Sequence, residues 1–144
     1  MMQVADVMTR DVEVVPPDAT IQEAAVKMKA LDVGILPVHD GRRVVGVVTD
    51  RDLAVRGAAE GRDPSSAVRE VMSPEVLFCF EDQDIEDAGA LMEDRQVRRL
   101  VVLGRDQRLT GILSLGDLAT GTGDETLPGE ILRRVSEPGE SAAP

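Results

Sequence analysis

The chain repeats itself once, and no other feature restricts its folding as much. Met8 recurs as Met72, Val12 as Val76, Asp18 as Asp82, Ile21 as Ile85, Ala24 as Ala88, Met28 as Met92, Val33 as Val97 and Val38 as Val102, each pair 64 residues apart. After one extra residue in the second copy's hairpin the offset becomes 65, matching Gly46 with Gly111, Thr49 with Ser114, Asp52 with Asp117 and Leu53 with Leu118. A solenoid needs about three or more copies to bury its faces. Two copies point instead to a pair that packs face to face.

Both copies predict the same order of elements. A short strand comes first, Val12 to Val15 and Val76 to Phe80. A helix follows, opened in copy one by Thr20 and Glu23 as a capping box before the stripe Ile21, Ala24, Ala25, Met28 and Leu31. In copy two Asp84 is the N-cap before Ile85, Ala88, Leu91 and Met92. Two strands around a polar turn come next: Ile35–Val38 and Val44–Val48, then Leu100–Leu103 and Leu109–Leu113. A second helix opens after Thr49 and stops near Gly61; its counterpart opens after Ser114 and is cut short near Gly121. The expected division is 1–62 for unit one and 63–121 for unit two, the latter starting with a short connecting helix, 63–72, from Asp63-Pro64-Ser65. A tail at 122–144 is rich in Gly, Pro, Glu and Ser; it is expected to be partly disordered, with one helical turn at Ile131–Val135.

Composition narrows the function. At 144 residues, 42% hydrophobic and 30% charged, the chain fits one compact domain or two half-size units. No run approaches the ~20 apolar residues of a membrane span, and the first residues do not form a signal peptide, so a cytoplasmic location away from membranes is expected. A net charge of −11 would repel a phosphate backbone, and two Phe with neither Trp nor Tyr give bases no stacking platform; nucleic acid is not expected as a partner. One His and one Cys exclude the usual zinc patterns, and Cys79, in an apolar strand, reads as buried packing. Glu81–Asp87 lacks the glycine of a calcium loop and lies across a helix start, where acids suit the dipole. Gly121-Thr122-Gly123-Asp124 lacks the βαβ context of a dinucleotide loop. His39 reads as turn polarity. No base–nucleophile pair is evident, so no catalytic residue is assigned and an enzyme is not expected.

The repeated element richest in chemistry is Gly46-Val47-Val48-Thr49-Asp50-Arg51-Asp52, echoed as Gly111-Ile112-Leu113-Ser114-Leu115-Gly116-Asp117. An apolar strand ends, a helix begins, and a hydroxyl at the junction is followed three residues later by a carboxylate. Such a helix start welcomes phosphate, the hydroxyl can donate to it, and the Asp can accept ribose hydroxyls. The same spacing is also how a helix caps itself, stabilising by ~1 kcal/mol with no ligand. Duplication copies caps and sites alike, so both readings stay open.

Taken in order and twice, these motifs resemble a tandem pair of CBS domains, or Bateman module, of the standalone type. The carriers are Val7-Met8-Thr9, Asp18–Ala24, Val33–Val38 and Gly46–Leu53, with their counterparts; the resemblance covers about Val4 to Ala119. It implies an α/β (α+β) fold of two units, each a small three-stranded sheet with two helices, related by a pseudo-twofold axis. It also implies clefts for an adenosine nucleotide, AMP, ADP or ATP, with no cofactor required. Residues carried over to such a site are Thr49 with Asp52, Ser114 with Asp117, and Thr9 and Ser73 at the mouth. The strand backbone against adenine maps to Ile35, Leu36 and Pro37, and to Arg99, Leu100 and Val101. Arg51, Arg98 and Arg99 are candidate phosphate partners. Copy two departs from the pattern with Val101 in place of Pro and Gly116 in place of Arg51, so the two clefts are expected to be unequal. The resemblance further implies a regulatory, energy-sensing role, a homodimer joined through helices where Ala54, Ala58 and Ala59 permit close approach, and an unidentified protein effector. The alternative is an interaction and dimerisation module whose clefts bind nothing.

Overall fold

Apolar stripes at helical spacing and capped starts place the two matching helices. α2 (Ile21–Leu31) begins at Thr20, whose hydroxyl accepts from the Glu23 N–H at 3.0 Å, the forward half of the expected capping box. α4 (Ile85–Arg95) begins at Asp84, which accepts from the Glu86 N–H at 2.9 Å. Each buries part of its expected stripe, Ile21, Ala24 and Met28 in one and Ile85, Ala88 and Met92 in the other, while Ala25 and Leu31 stay exposed and Leu91 is half-buried. Both end alike, on a left-handed residue at the same repeat position, Asp32 (φ 55°) and Gln96 (φ 54°). The structure is a computed structural model that describes residues 2–121 and 126–136.

The hairpins follow the helices. β1 (Ile35–His39) pairs antiparallel with β2 (Val44–Thr49), and β4 (Arg99–Leu103) with β5 (Leu109–Ser114); β3 (Phe78–Phe80) joins β4 in parallel. The repeat reaches down to a register shift, at Val38/His39 in one hairpin and Val102/Leu103 in the other. The expected first strand of copy one, Val12 to Val15, is reduced to a single parallel bridge between Val15 and Val38. Pro16 and Pro17 follow at once and remove the amides a ladder needs, whereas copy two carries Glu81, whose N–H donates to the Leu103 carbonyl at 2.9 Å.

The second helix of copy one starts as α3 (Asp50–Asp52), widens to an i→i+5 turn over Leu53–Gly57 and tightens over Ala58–Glu60 before Gly61 stops it in the left-handed region at φ 72°. Its counterpart α5 runs Leu115–Gly121. The expected connecting helix at 63–72 is not one. Asp63 closes a turn by accepting from the Ser65 N–H and hydroxyl, and only Val68–Glu70 forms a single tight turn.

Packing divides the chain into two compact units, and the division crosses the repeat. One is Val12–Val76; the other joins the N-terminal residues up to Asp11 to everything from Leu77 on. In the first, Val68 and Val71 lie fully buried with Ile21, Met28, Leu36 and Val48, so the segment after copy one completes copy one's core. In the second, α1 (Val4–Val7) and Met8 join Met92, Leu100, Leu113 and Leu118. The arm before each copy therefore packs on the other copy's second hairpin strand: Thr9 bridges Ile112, and Ser73 bridges Val47. Gly111 and Gly46 make room for this. A Cβ on Gly111 would stand 2.5 Å from the Thr9 carbonyl oxygen, and one on Gly46 2.7 Å from that of Ser73.

The tail differs from expectation. In place of one turn at Ile131–Val135 there is an eleven-residue helix, α6 (Thr126–Ser136), packed on α4 and α5. Ile131 is fully buried, its Cδ1 occupying the space that a side chain on Gly89 would need (2.7 Å from a Cβ built there). The expected disorder at 122–125 and 137–144 lies outside the described residues.

Candidate functional site

The Thr49–Asp52 element forms a closed capping box. Asp52 donates its N–H to the Thr49 hydroxyl at 3.1 Å, and Thr49 donates its N–H to the Asp52 carboxylate at 3.0 Å. Ser114 and Asp117 do the same at 3.0 and 2.9 Å. The capping reading of the sequence is thus realised in both copies. It leaves room for a ligand role, because a carboxylate has about four acceptor positions and a capping box uses one.

The two carboxylates differ in what else they hold. Asp117 accepts the Thr9 hydroxyl on both oxygens, at 3.2 and 3.3 Å. Asp52 faces Arg56, with Nε 4.0 Å from Oδ1, and Arg56 also reaches the carbonyls of Val71 and Met72. Arg56 was missed in the sequence reading because its counterpart in copy two is Gly121. Thr9 and Ser73 occupy matching places on the exchanged arms, each trading two backbone hydrogen bonds with its partner strand, Thr9 with Ile112 (2.9 and 3.0 Å) and Ser73 with Val47 (2.8 and 3.0 Å).

Ile35, Leu36 and Pro37 lie on β1, Leu36 and Pro37 buried and Ile35 half-buried. Pro37 has no N–H, and its carbonyl already accepts from Val15 at 3.1 Å. Arg99, Leu100 and Val101 open β4. β3 pairs only from Val101 onward, so the stretch of Arg99 and Leu100 extends beyond the end of β3. The Val101 N–H is taken by the Leu77 carbonyl.

Charge separates the copies further. Gly34 and Arg98 hold equivalent positions, their carbonyls accepting from the N–H of Asp50 and Leu115 respectively, each at 2.9 Å. In copy one the Asp50 carboxylate crowds Gly34, 3.0 Å from where a Cβ would be, and also accepts the Arg51 N–H at 2.8 Å. In copy two an apolar Leu115 replaces that acid, and the exposed Arg98 and Arg99 supply two positive charges. They line a depression of about 770 Å³ together with Ser114, Leu115, Gly116, Ala119, Gly129 and Leu132. The sequence reading brought Arg98, Arg99 and Ser114 to it. Gly129 and Leu132 were missed with their helix; Leu127, Ile131 and Val135 at four-residue spacing were the signal for it.

Away from these elements, burial pushes the Cys79 thiol up to about 12, and the ring Nδ1 of His39 accepts the Gly41 N–H at 3.0 Å in its turn. Among the described residues no three His, Cys, Asp or Glu side chains cluster to hold a metal, and no helix is long and apolar enough to cross a membrane.

Two sheets with their helices, duplicated and with arms exchanged, define a class of tandem αβ module. The CBS-domain family model matches residues 4–57 and 68–121, and the chain belongs to the CBS-domain family. It is 42% identical over 136 residues to the CBS domain-containing protein YhcV of Bacillus subtilis, covering 94% of this chain and 96% of that one. Among solved structures it resembles hypoxic response protein I, crystallised with two coordinated zinc ions (32% identity, TM-score 0.74, covering 82% of this chain and 97% of that chain). It also resembles CBSX2 in complex with AMP (29% identity, TM-score 0.74, covering 85% and 96%).

Proposed function

We propose that this chain is a regulatory module that binds an adenosine nucleotide, and that copy two supplies the phosphate end of the site. The observation that carries the reading is the cationic depression of Arg98 and Arg99 beside Ser114, in a family member whose structural neighbour CBSX2 was solved with AMP. Two guanidiniums present forked donors that match phosphate oxygens, and a serine hydroxyl adds a third donor group. Asp117 accepts ribose hydroxyls while keeping its cap. In copy one, Asp50 beside Gly34 opposes an anion, so Thr49, Arg51 and Asp52 form the weaker site. The bases would rest on aliphatic side chains, which makes the affinity modest.

The module acts without catalysis, in the cytoplasm, by shifting contacts with a protein effector when the nucleotide binds. It works as a homodimer joined through helices; Val26, at 59% exposure on α2, and Val55, at 47%, are large apolar side chains left for such contact. A light-scattering mass equal to one chain removes the dimer.

A second reading has its own support. Both capping boxes are closed and Asp117 already holds Thr9, so the polar groups are satisfied without a ligand; this favours a pure interaction module. Thermal melts with AMP, ATP and S-adenosylmethionine decide. Ligand at 100 times its dissociation constant adds about 2.7 kcal/mol, a rise of several degrees. An unmoved transition at several millimolar of all three establishes the interaction module.

A further inference from the structure

Copy one has no counterpart of α6, and α6 reaches the cationic depression. Ile131 anchors the helix in the Gly89 hollow, Val135 packs on the same core, and Arg134 lies 3.8 Å from Glu93 of α4. With that face held, the adjoining Gly129 and Leu132 look into the depression. Leu132 remains 44% exposed. Gly129 is the more telling residue. Glycine inside a helix is unfavourable relative to almost any other residue, and its usual justifications fail here. It is not among the positive-φ glycines, and a Cβ built on it meets nothing within 4 Å. What a side chain there would fill is the depression itself. Gly116, where an added Cβ would meet only the Ser114 hydroxyl oxygen at 3.6 Å, and Ala119 keep the facing wall small.

We propose that α6 is the outer wall of the Arg98–Arg99 site, that Leu132 is its contact on the bound nucleotide, and that occupancy and docking of α6 are coupled. The proposal rests on the nucleotide reading of that site. A ligand that touches α6 only when the helix is docked must favour docking by the same factor by which docking favours the ligand. Occupancy is thereby reported at α6 rather than at the strands.

The test uses the full chain and AMP as the probe, with calorimetric titration and hydrogen exchange. Saturating AMP is expected to slow amide exchange in Glu130–Ser136 roughly tenfold or more. Leu132→Ala, at an exposed position, is expected to weaken AMP roughly fivefold with the melting temperature unchanged. Gly129→Leu is expected to weaken it more than about tenfold while holding or raising the melting temperature, since leucine is the better helix former. Gain of stability with loss of affinity is a result that a merely structural glycine does not give. If AMP binds and Arg98→Ala with Arg99→Ala abolishes it, but both α6 variants stay within about twofold of wild type and exchange in α6 is unaltered, this inference is overturned and the site stands. If the wild-type chain binds no AMP, or the arginine variants leave binding intact, the site and the inference fall together.

Discussion

Two glycines and two aspartates carry most of what single residues decide here. Gly111 and Gly46 let the arm backbones lie against β5 and β2, with carbonyl oxygens 2.5 and 2.7 Å from where a methyl would sit. Those contacts are with main chain, which cannot swing aside as a side-chain end can. Gly111→Ala and Gly46→Ala are each expected to cost about 1–3 kcal/mol, read as a lower midpoint in urea with an unchanged slope. The aspartates separate by what they hold. Asp52→Ala removes one leg of a capping box, about 1 kcal/mol; Asp117→Ala removes that and the Thr9 hydrogen bonds, about 2 kcal/mol. Equal costs would show that the Thr9 bonds contribute nothing in water. On the surface, Arg105 grips both oxygens of Asp82 at 2.9 and 3.0 Å and holds its carboxyl below the ordinary 3.8. A lowered folded-state pKa gives stability that is present above about pH 4 and lost as pH falls through the folded value. Asp82→Asn is therefore expected to flatten the stability–pH curve below about pH 4 and to leave its shape at neutral pH alone.

At the scale of elements, helix ends are where the duplication leaves stability unused. Asp32 and Gln96 both terminate their helices in the left-handed region, where glycine is preferred; aspartate visits it more readily than glutamine. Gln96→Gly is expected to raise stability by about 0.5–1 kcal/mol and Asp32→Gly by less, measured by thermal melts of the two variants. The elements were legible where periodicity and caps coincide: the starts of α2 and α4, the strands of both hairpins to within a residue and the Gly61 stop were predicted. They were illegible where a tertiary partner makes the element. Val12 to Val15 has a strand's composition, yet the prolines that follow limit it to one bridge. Asp63-Pro64 has a helix start's chemistry, yet the Asp63 side chain closes a turn around Ser65 instead. α6 was read as a single turn, although Leu127, Ile131 and Val135 carry its spacing, because its apolar residues sit amid Gly, Pro and Glu and the Gly89 hollow that receives Ile131 is a tertiary feature. Of the candidate site, the residues at the two helix starts were read from the repeat, and Arg98 and Arg99, which stand where copy one has Gly34 and Ile35, from the family resemblance; Gly129 and Leu132, on a helix without a repeat partner, came from neither.

For the whole molecule, the boundary of the repeat and the boundary of packing do not coincide. Residues that precede one copy in sequence belong to the other copy's core, Val4 and Met8 with Leu113 and Leu118, Val68 and Val71 with Leu36 and Val48. Neither half of the sequence contains all of what its own core requires. Suppose a protease cuts after Arg62, between the two copies. The piece ending there keeps its first residues in the core of the other piece, and the other piece keeps Val68–Ser73 against the hairpin left behind. Two severed chains would elute from a sizing column as one particle, and would part only on denaturation.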